Sequence, residues 1–277
     1  MSLGIVFKGP EGIVLAADSR VTLTSELRQP NTQPMLLAST YDSATKLLKV
    51  GGQDHVAAVT YGAGALDGGG APRTAHSYIP EFEAELVNTG HGGRLAVQYF
   101  AQRLSDFFQG LWQAANMPAN STPMVFLIGG FDEGEPYGRV FRVQVPNQLT
   151  PEEQNANDFG VTWGGQMEIV QRLLNGLDLA VPQHIQQALQ LTDQQTQQLM
   201  DQVRSEVALP IPYAFLPLQD CIDLSILLVR TTVALQSFSI GIRGVGGAID
   251  VATITRSEGF RAVQQKEIRG EGAGRDA

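Results

Sequence analysis

The sequence has few cysteines, few basic residues and no long apolar runs, and each shortage argues against a class of protein. Cys221 is the one cysteine among 277 residues, so no disulfide can form within the chain, which fits a reducing compartment. We expect Cys221 to be a small buried core residue. The net charge of −9 and the lack of a Lys/Arg cluster predict no nucleic acid and no membrane among the partners.

Targeting and membrane signals are also missing. The N-terminal apolar stretch Leu3–Phe7 is broken at once by Lys8, Gly9, Pro10 and Glu11, so it has no continuous apolar region of the kind a signal peptide needs. Apolar runs elsewhere are too short to cross a bilayer. We therefore expect a cytoplasmic protein.

The composition is typical of one globular domain. Hydrophobic residues make up 43% of the chain and charged residues 17%, which is enough apolar material for a core. We predict a single domain over residues 1–277 with a Gln-rich helical insertion at about 180–215 and a polar tail from about 269. Within the insertion, Gln183–Gln202 carries nine glutamines with Leu and Ile at helical intervals, and Pro210 and Pro212 end it.

Strands and helices are predicted in pairs. The predicted strands are Leu3–Phe7, Ile13–Ala17, Lys46–Val50, His55–Tyr61, Met124–Gly130, Arg139–Val145, Ile249–Thr255 and Phe260–Val263. Outside the insertion, the predicted helices are Arg73–Leu86, Leu95–Ala115, Met167–Leu177 and Asp220–Phe238. Hairpins that alternate with helix pairs indicate an α+β fold of mainly antiparallel sheets.

Two glycine- or proline-containing segments are predicted to be irregular. Val21–Asp42 is polar, contains Pro30 and Pro34 and shows no periodicity, so we predict a long loop. Gly62–Gly70 lacks the Gly-Lys-Ser/Thr ending of a phosphate-binding loop, so we predict a turn before the next helix.

One predicted helix carries an aromatic stripe. Between residues 95 and 115, Phe100, Leu104, Phe107, Leu111 and Trp112 recur at steps of three and four. Side chains at this spacing share one helix face, and we predict that this face packs into the core.

The chain contains, in this order, the segments Gly12–Arg20, Ala44–Leu48, Val125–Asp132 and Gly246–Arg256. Together they resemble the proteasome β-subunit family and its bacterial relatives, which are N-terminal-nucleophile hydrolases. The resemblance implies a four-layer αββα sandwich and a homo-oligomeric ring that hydrolyses peptide bonds in peptides or unfolded proteins inside the cell. It also implies that neither a metal nor an organic cofactor is needed.

The resemblance further implies a nucleophile at the start of the chain. This chemistry uses a hydroxyl on the first mature residue, whose own α-amine is the general base. Such an amine titrates near pH 7.7–8.0, close to working pH. Ser2 is the candidate once Met1 is removed, because it precedes Asp18 by the sixteen residues that the family shows.

Three further positions complete the implied site. Lys46 matches the family's lysine, whose ammonium stabilises developing negative charge, and Asp18 matches the aspartate that holds it. Gly62 stands where the family places a backbone N–H that binds the oxyanion. By default, an Asp–Lys pair is a structural ion pair and a glycine serves a tight turn.

The sequence also departs from the family. Trp163–Gln166 replaces a Gly-Ser-Gly turn, and Ile242, Arg243 and Val245 replace a supporting aspartate and serine. These departures keep two alternatives open, namely a non-catalytic scaffold subunit like the proteasome's α-type subunits and a non-peptidase amide hydrolase. An alignment anchored on Gly4 would shift Ser2 inward and leave the nucleophile position empty.

Overall fold

The computed structural model describes residues 2–27, 35–66, 72–241 and 243–268. Twelve strands are described: β1 Leu3–Lys8, β2 Ile13–Asp18, β3 Val21–Leu27, β4 Met35–Tyr41, β5 Leu47–Leu48, β6 Val56–Gly62, β7 Met124–Gly130, β8 Arg139–Val145, β9 Gln148–Gln154, β10 Gly160–Gly165, β11 Ile249–Thr255 and β12 Gly259–Gln264. The α-helices are α1 Ile79–Asn88, α2 Val97–Ala114, α3 Glu168–Asn175, α4 Val181–Leu189, α5 Asp193–Val207 and α6 Leu218–Ser237. Short 3₁₀ turns cover Ala75–Tyr78 and Tyr213–Phe215.

The strands form antiparallel sheets, and the predicted α+β class is confirmed. The first sheet has the order β10-β1-β2-β11-β12 and the second the order β5-β6-β7-β8-β9. Strands β3 and β4 form a separate ribbon. The predicted strand pairs all recur as neighbours, although β5 covers only Leu47–Leu48 of the predicted Lys46–Val50.

The opening hairpin is the centre of the first sheet. Strands β1 and β2 pair from Gly4 with Ala17 to Lys8 with Ile13, and the Gly9 N–H closes the turn on the Gly12 carbonyl at 2.9 Å. Every residue of both strands is buried. The apolar runs are continuous rather than alternating because both faces of this sheet are covered.

Three buried apolar clusters connect the elements. One lies between the two sheets, where Val6 and Leu15 meet Val59 and Leu127. A second joins the other face of the second sheet to α1 and α2, and it includes the predicted stripe residues Phe100, Leu104 and Trp112. The third joins the other face of the first sheet to α3 and α6 and contains Cys221, which is buried as predicted.

The loop predicted for Val21–Asp42 is wrong. Strands β3 and β4 pair in register from Val21 with Tyr41 to Leu27 with Met35. The β-branched residues at the start of β3, Val21 and Thr22, favour a strand, whereas Pro30 and Pro34 lie in residues 28–34, outside the described part of the chain. The described residues on either side of 28–34 therefore form paired strands and not one long loop.

Two more strands, besides β3 and β4, were not predicted. Strand β9 is polar and contains Pro151, which an outermost strand tolerates because one row of its N–H groups has no sheet partner. Strand β10 contains the short β-prone run Val161–Trp163 between glycines, and it pairs with β1 along its whole length. Both strands take their place from the neighbours they pair with, which a local pattern does not reveal.

The helices differ from prediction in detail. Helix α1 begins at Ile79 because a 3₁₀ turn precedes it, not at the predicted Arg73. The Gln-rich segment forms α4 and α5, and Thr192 and Gln195 cap the start of α5 reciprocally. None of the described helices combines the length and apolar character that a bilayer crossing needs. The predicted tail, Arg269–Ala277, lies outside the described residues.

Candidate active site

Asp18, at the end of β2, is the centre of a buried hydrogen-bond network. Its Oδ1 accepts from Lys46 Nζ at 2.6 Å and from the Leu3 N–H at 2.9 Å. Its Oδ2 accepts from the Arg20 N–H at 3.1 Å and the Gly246 N–H at 3.0 Å. With four donors, this fully buried carboxylate is well satisfied, as burial of a charge requires.

Lys46 lies just before β5, at the edge of the second sheet, and its ammonium reaches across to the first sheet. Its side chain is 7% exposed. Burial lowers the pKa of Lys46, Asp18 opposes that change, and the positive charges of Lys266 and Arg20 lower it further. The ion pair therefore joins the two sheets at one end of β1.

Ser2 lies beside this pair, immediately before β1. Its carbonyl accepts the Gln166 N–H at 2.8 Å, which fixes the residue against the end of β10. Ser2 and Lys46 both line a small cavity of about 20 Å³, together with residues that include Val21, Thr60 and Ala63. That volume is enough for about one water molecule.

The backbone places the start of β1 close to the lysine. Because Asp18 Oδ1 binds both the Leu3 N–H and Lys46 Nζ, these two nitrogens cannot be farther apart than the two hydrogen bonds laid end to end. The Ser2–Leu3 peptide therefore lies near the Lys46 ammonium. Three of the predicted residues, Ser2, Asp18 and Lys46, come together here.

Gly62, the fourth predicted residue, ends β6 next to the cavity but does not line it. Its φ of +91° is in a region that side chains rarely adopt, and an added Cβ would lie 2.1 Å from the Pro123 carbonyl oxygen. The Thr60 N–H donates to the Lys46 carbonyl at 3.0 Å. Since strand amides alternate in direction, the Gly62 N–H points to the same side of β6 as the Thr60 N–H, which is the side of the Lys46 segment.

The Trp163–Gln166 segment cannot hold the serine that the family has there. A Cβ on Gly164 would lie 2.1 Å from the Tyr61 hydroxyl oxygen, and one on Gly165 would lie 1.8 Å from the Ser2 carbonyl oxygen. Gly165 also has a φ of +96°. Tyr61, which lines the cavity, therefore fills space beside this turn that a larger residue would need.

A second charge pair near the site was missed from the sequence. Asp250, in β11, is buried and accepts hydrogen bonds from both the backbone N–H and the Nζ of Lys266. Lys266 is close enough to Lys46 to lower its pKa. The sequence does show a carboxylate, Asp250, inside an apolar strand. Lys266 follows the end of β12, however, and no local pattern links it to Asp250.

Of the other positions where the sequence departs from the family, Val245 is buried in the cluster under α6, and Ile242 lies outside the described residues. The Arg243 carbonyl accepts from the Arg20 guanidinium at 3.4 Å. The apolar side chain of Val245 therefore offers the site no hydrogen bond.

No protein-family model matches the chain, and no curated protein matches it either. The proposals below therefore rest on the geometry around Asp18, Lys46 and Ser2.

Proposed function

We propose that this chain is an N-terminal-nucleophile amide hydrolase of the proteasome type with Ser2 as its nucleophile. The observation that carries the proposal is the double hydrogen bond of Asp18 Oδ1 to Lys46 Nζ and to the Leu3 N–H. It holds the residue that bears the hydroxyl beside a buried ammonium. It also favours the alignment with Ser2 at the site over the one anchored on Gly4.

In the proposed reaction, Ser2 Oγ attacks the carbonyl carbon of an amide while the Ser2 α-amine takes the hydroxyl proton. The Gly62 N–H and the Lys46 ammonium stabilise the negative charge on the tetrahedral oxygen. The C–N bond then breaks, and the leaving nitrogen takes the proton from the Ser2 ammonium. Water attacks the resulting ester in the same way, which releases the acid and restores Ser2.

The packing supports the finer fold assignment. The three apolar clusters have the composition expected for the three interlayer cores of an αββα sandwich, with α1 and α2 on one side and α3 and α6 on the other. We include assembly into a homo-oligomeric ring, peptide or unfolded-protein substrates and a cytoplasmic location in the proposal.

One observation favours the alternative of a non-catalytic scaffold subunit. Neither Gly164 nor Gly165 has room for the serine that assists proton transfer at the amine in the family. A catalytic chain must manage that transfer with the groups around the cavity. The two functions therefore differ in whether Ser2 reacts.

A labelling experiment tests the proposal. The purified protein is treated with a peptide epoxyketone, whose two electrophilic carbons capture a hydroxyl and an amine on one residue, and its intact mass is measured. We expect a mass without Met1 and one bound probe per chain. Ser2→Ala should abolish labelling, and Lys46→Met should slow it at least about 100-fold because the buried positive charge is lost.

Lys49→Met is the matched control, because Lys49 is an exposed lysine three residues away that pairs with Asp54. It should label like the wild type. Retention of Met1, or equal labelling of Ser2→Ala, would refute the nucleophile. A trimmed and folded protein that never labels would support the scaffold alternative instead.

A further inference from the structure

A second and larger cavity lies at the other end of β1. It has a volume of about 310 Å³ and is formed by the connection between β7 and β8, the connection between β9 and β10, and the side chain of Lys8. Lys8 ends β1, so the six-residue strand, about 20 Å long, separates this cavity from Ser2. The volume is at the lower end of the range for small-molecule sites.

Lys8 differs from every other lysine of the protein. The sequence has four lysines, and Lys46, Lys49 and Lys266 each pair with an aspartate. The buried Lys8 ammonium instead donates to the backbone carbonyls of Asn155 at 2.6 Å and Ala156 at 3.1 Å. An ammonium has three donors, so these two bonds leave one N–H.

The second cation at the cavity is already neutralised. The Arg139 guanidinium donates to both carboxylate oxygens of Glu153, at 2.8 and 2.5 Å, and to Asp132 at 3.1 Å. Burial lowers the pKa of Lys8, and the charge of Arg139 lowers it further, whereas the carboxylates of Glu153 and Asp158 oppose the change without a hydrogen bond to Lys8. The charge of Lys8 is therefore the one that lacks a bound carboxylate among the described residues around this cavity.

The rest of the lining defines the body of a ligand. Tyr137 and Phe159 form an edge-to-face aromatic pair with ring centroids 5.1 Å apart, and both line the cavity. Such a wall suits a planar ring. Glu135 and Asp158 also line the cavity but are exposed. Their charges oppose the binding of an anion, although salt screens them, and the repulsion grows with the charge of the ligand, so one negative charge is favoured over several.

We propose that this cavity binds a small aromatic molecule with a single carboxylate, which accepts a hydrogen bond from Lys8 while its ring packs against Tyr137 and Phe159. The carboxylate supplies the counter-charge that the other lysines receive from aspartates. Charge-assisted bonds of this kind are about twice as strong as neutral ones. The site is separate from the candidate active site, and neither proposal depends on the other.

Ligand-observed NMR titrations with three probes of similar shape test the proposal. Benzoate carries the carboxylate, benzamide is its neutral counterpart, and benzylammonium has the opposite charge. We expect benzoate to bind best and benzylammonium not to bind. Lys8→Met keeps the length of the side chain and removes its charge, so it should weaken benzoate binding at least about tenfold.

Two further variants keep the test decisive. Tyr137→Ala changes a half-exposed residue, leaves Lys8 intact and should also weaken benzoate binding, which covers the case in which Lys8→Met does not fold. Lys49→Met should bind benzoate like the wild type. Equal binding of benzoate and benzylammonium, or benzoate binding that survives both Lys8→Met and Tyr137→Ala, would overturn the proposal.

Discussion

The two ends of β1 each hold a buried lysine, and the partners of the two lysines differ. Lys46 binds the carboxylate of Asp18 at one end, whereas Lys8 binds two backbone carbonyls at the other. Burial lowers the pKa of both. The carboxylate of Asp18 neutralises the ammonium of Lys46 within the protein. The carbonyls that bind Lys8 supply only dipoles, so its positive charge stays available to an anionic ligand.

Loss of the carboxylate at the Ser2 end should have the largest effect on stability. Asp18→Asn leaves the Lys46 ammonium buried without a counter-charge and replaces an acceptor of four hydrogen bonds. We expect a loss of about 3–5 kcal/mol in the free energy of unfolding. Urea unfolding followed by tryptophan fluorescence measures it.

The reciprocal variant sharpens this prediction. Lys46→Met leaves Asp18 with three backbone N–H donors, so the remaining charge stays partly satisfied and the loss should be smaller than for Asp18→Asn. If Lys46→Met destabilises as much as Asp18→Asn or more, the backbone donors do not stabilise the carboxylate as we argue.

The sequence predicts the strands around Ser2 well, because the patterns that indicate them are local. Two apolar runs lie on either side of the turn residues Lys8–Gly12, which predicts the hairpin. Asp18 and Lys46 fall in two of the four segments that resemble one family in order. The structure brings Ser2, Asp18 and Lys46 together. It also shows that Tyr61 and the Ser2 carbonyl occupy the space that a side chain at Gly164 or Gly165 would need.

The Lys8 end could not be predicted, because its contacts are distant in sequence. The carbonyls that bind Lys8 are 147 and 148 residues away, in the connection after the unpredicted strand β9. Strand β9 is polar, and β10 is short and glycine-flanked, so neither carries a strong strand pattern. The Asp250–Lys266 pair was missed although its members are only 16 residues apart, because it forms through the β11–β12 pairing.

The wild type and Lys8→Met should differ in how their free energies of unfolding depend on pH. Its pKa in the folded protein is below the ordinary lysine value of 10.5, so the unfolded chain binds more protons between the two values. Relative to Lys8→Met, the wild type should therefore gain stability as pH rises through this window and lose it as pH falls. Urea unfolding of both proteins from pH 7 to 10.5 measures the difference.

Saturating benzoate provides the control for that measurement. If the carboxylate binds the charged ammonium, it raises the pKa of Lys8, and the pH-dependent gain over Lys8→Met should shrink. A gain that is absent without benzoate would mean that the carbonyls of Asn155 and Ala156 compensate burial fully. The Lys8 ammonium would then be as well stabilised as that of Lys46, and the two lysines would no longer differ in this respect.

The smallest effect is expected for the exposed lysine that serves as the control throughout. The side chains of Lys49 and Asp54 are 49% and 64% exposed, and their charged atoms lie 3.3 Å apart. Lys49 also lies over the Phe260 ring at 5.4 Å. Water and salt screen such a pair, so Lys49→Met should cost at most about 1 kcal/mol. The cost should fall further in 1 M salt, whereas that of Asp18→Asn should change little because its charges are buried. A loss for Lys49→Met as large as that for Asp18→Asn would mean that burial does not separate these lysines.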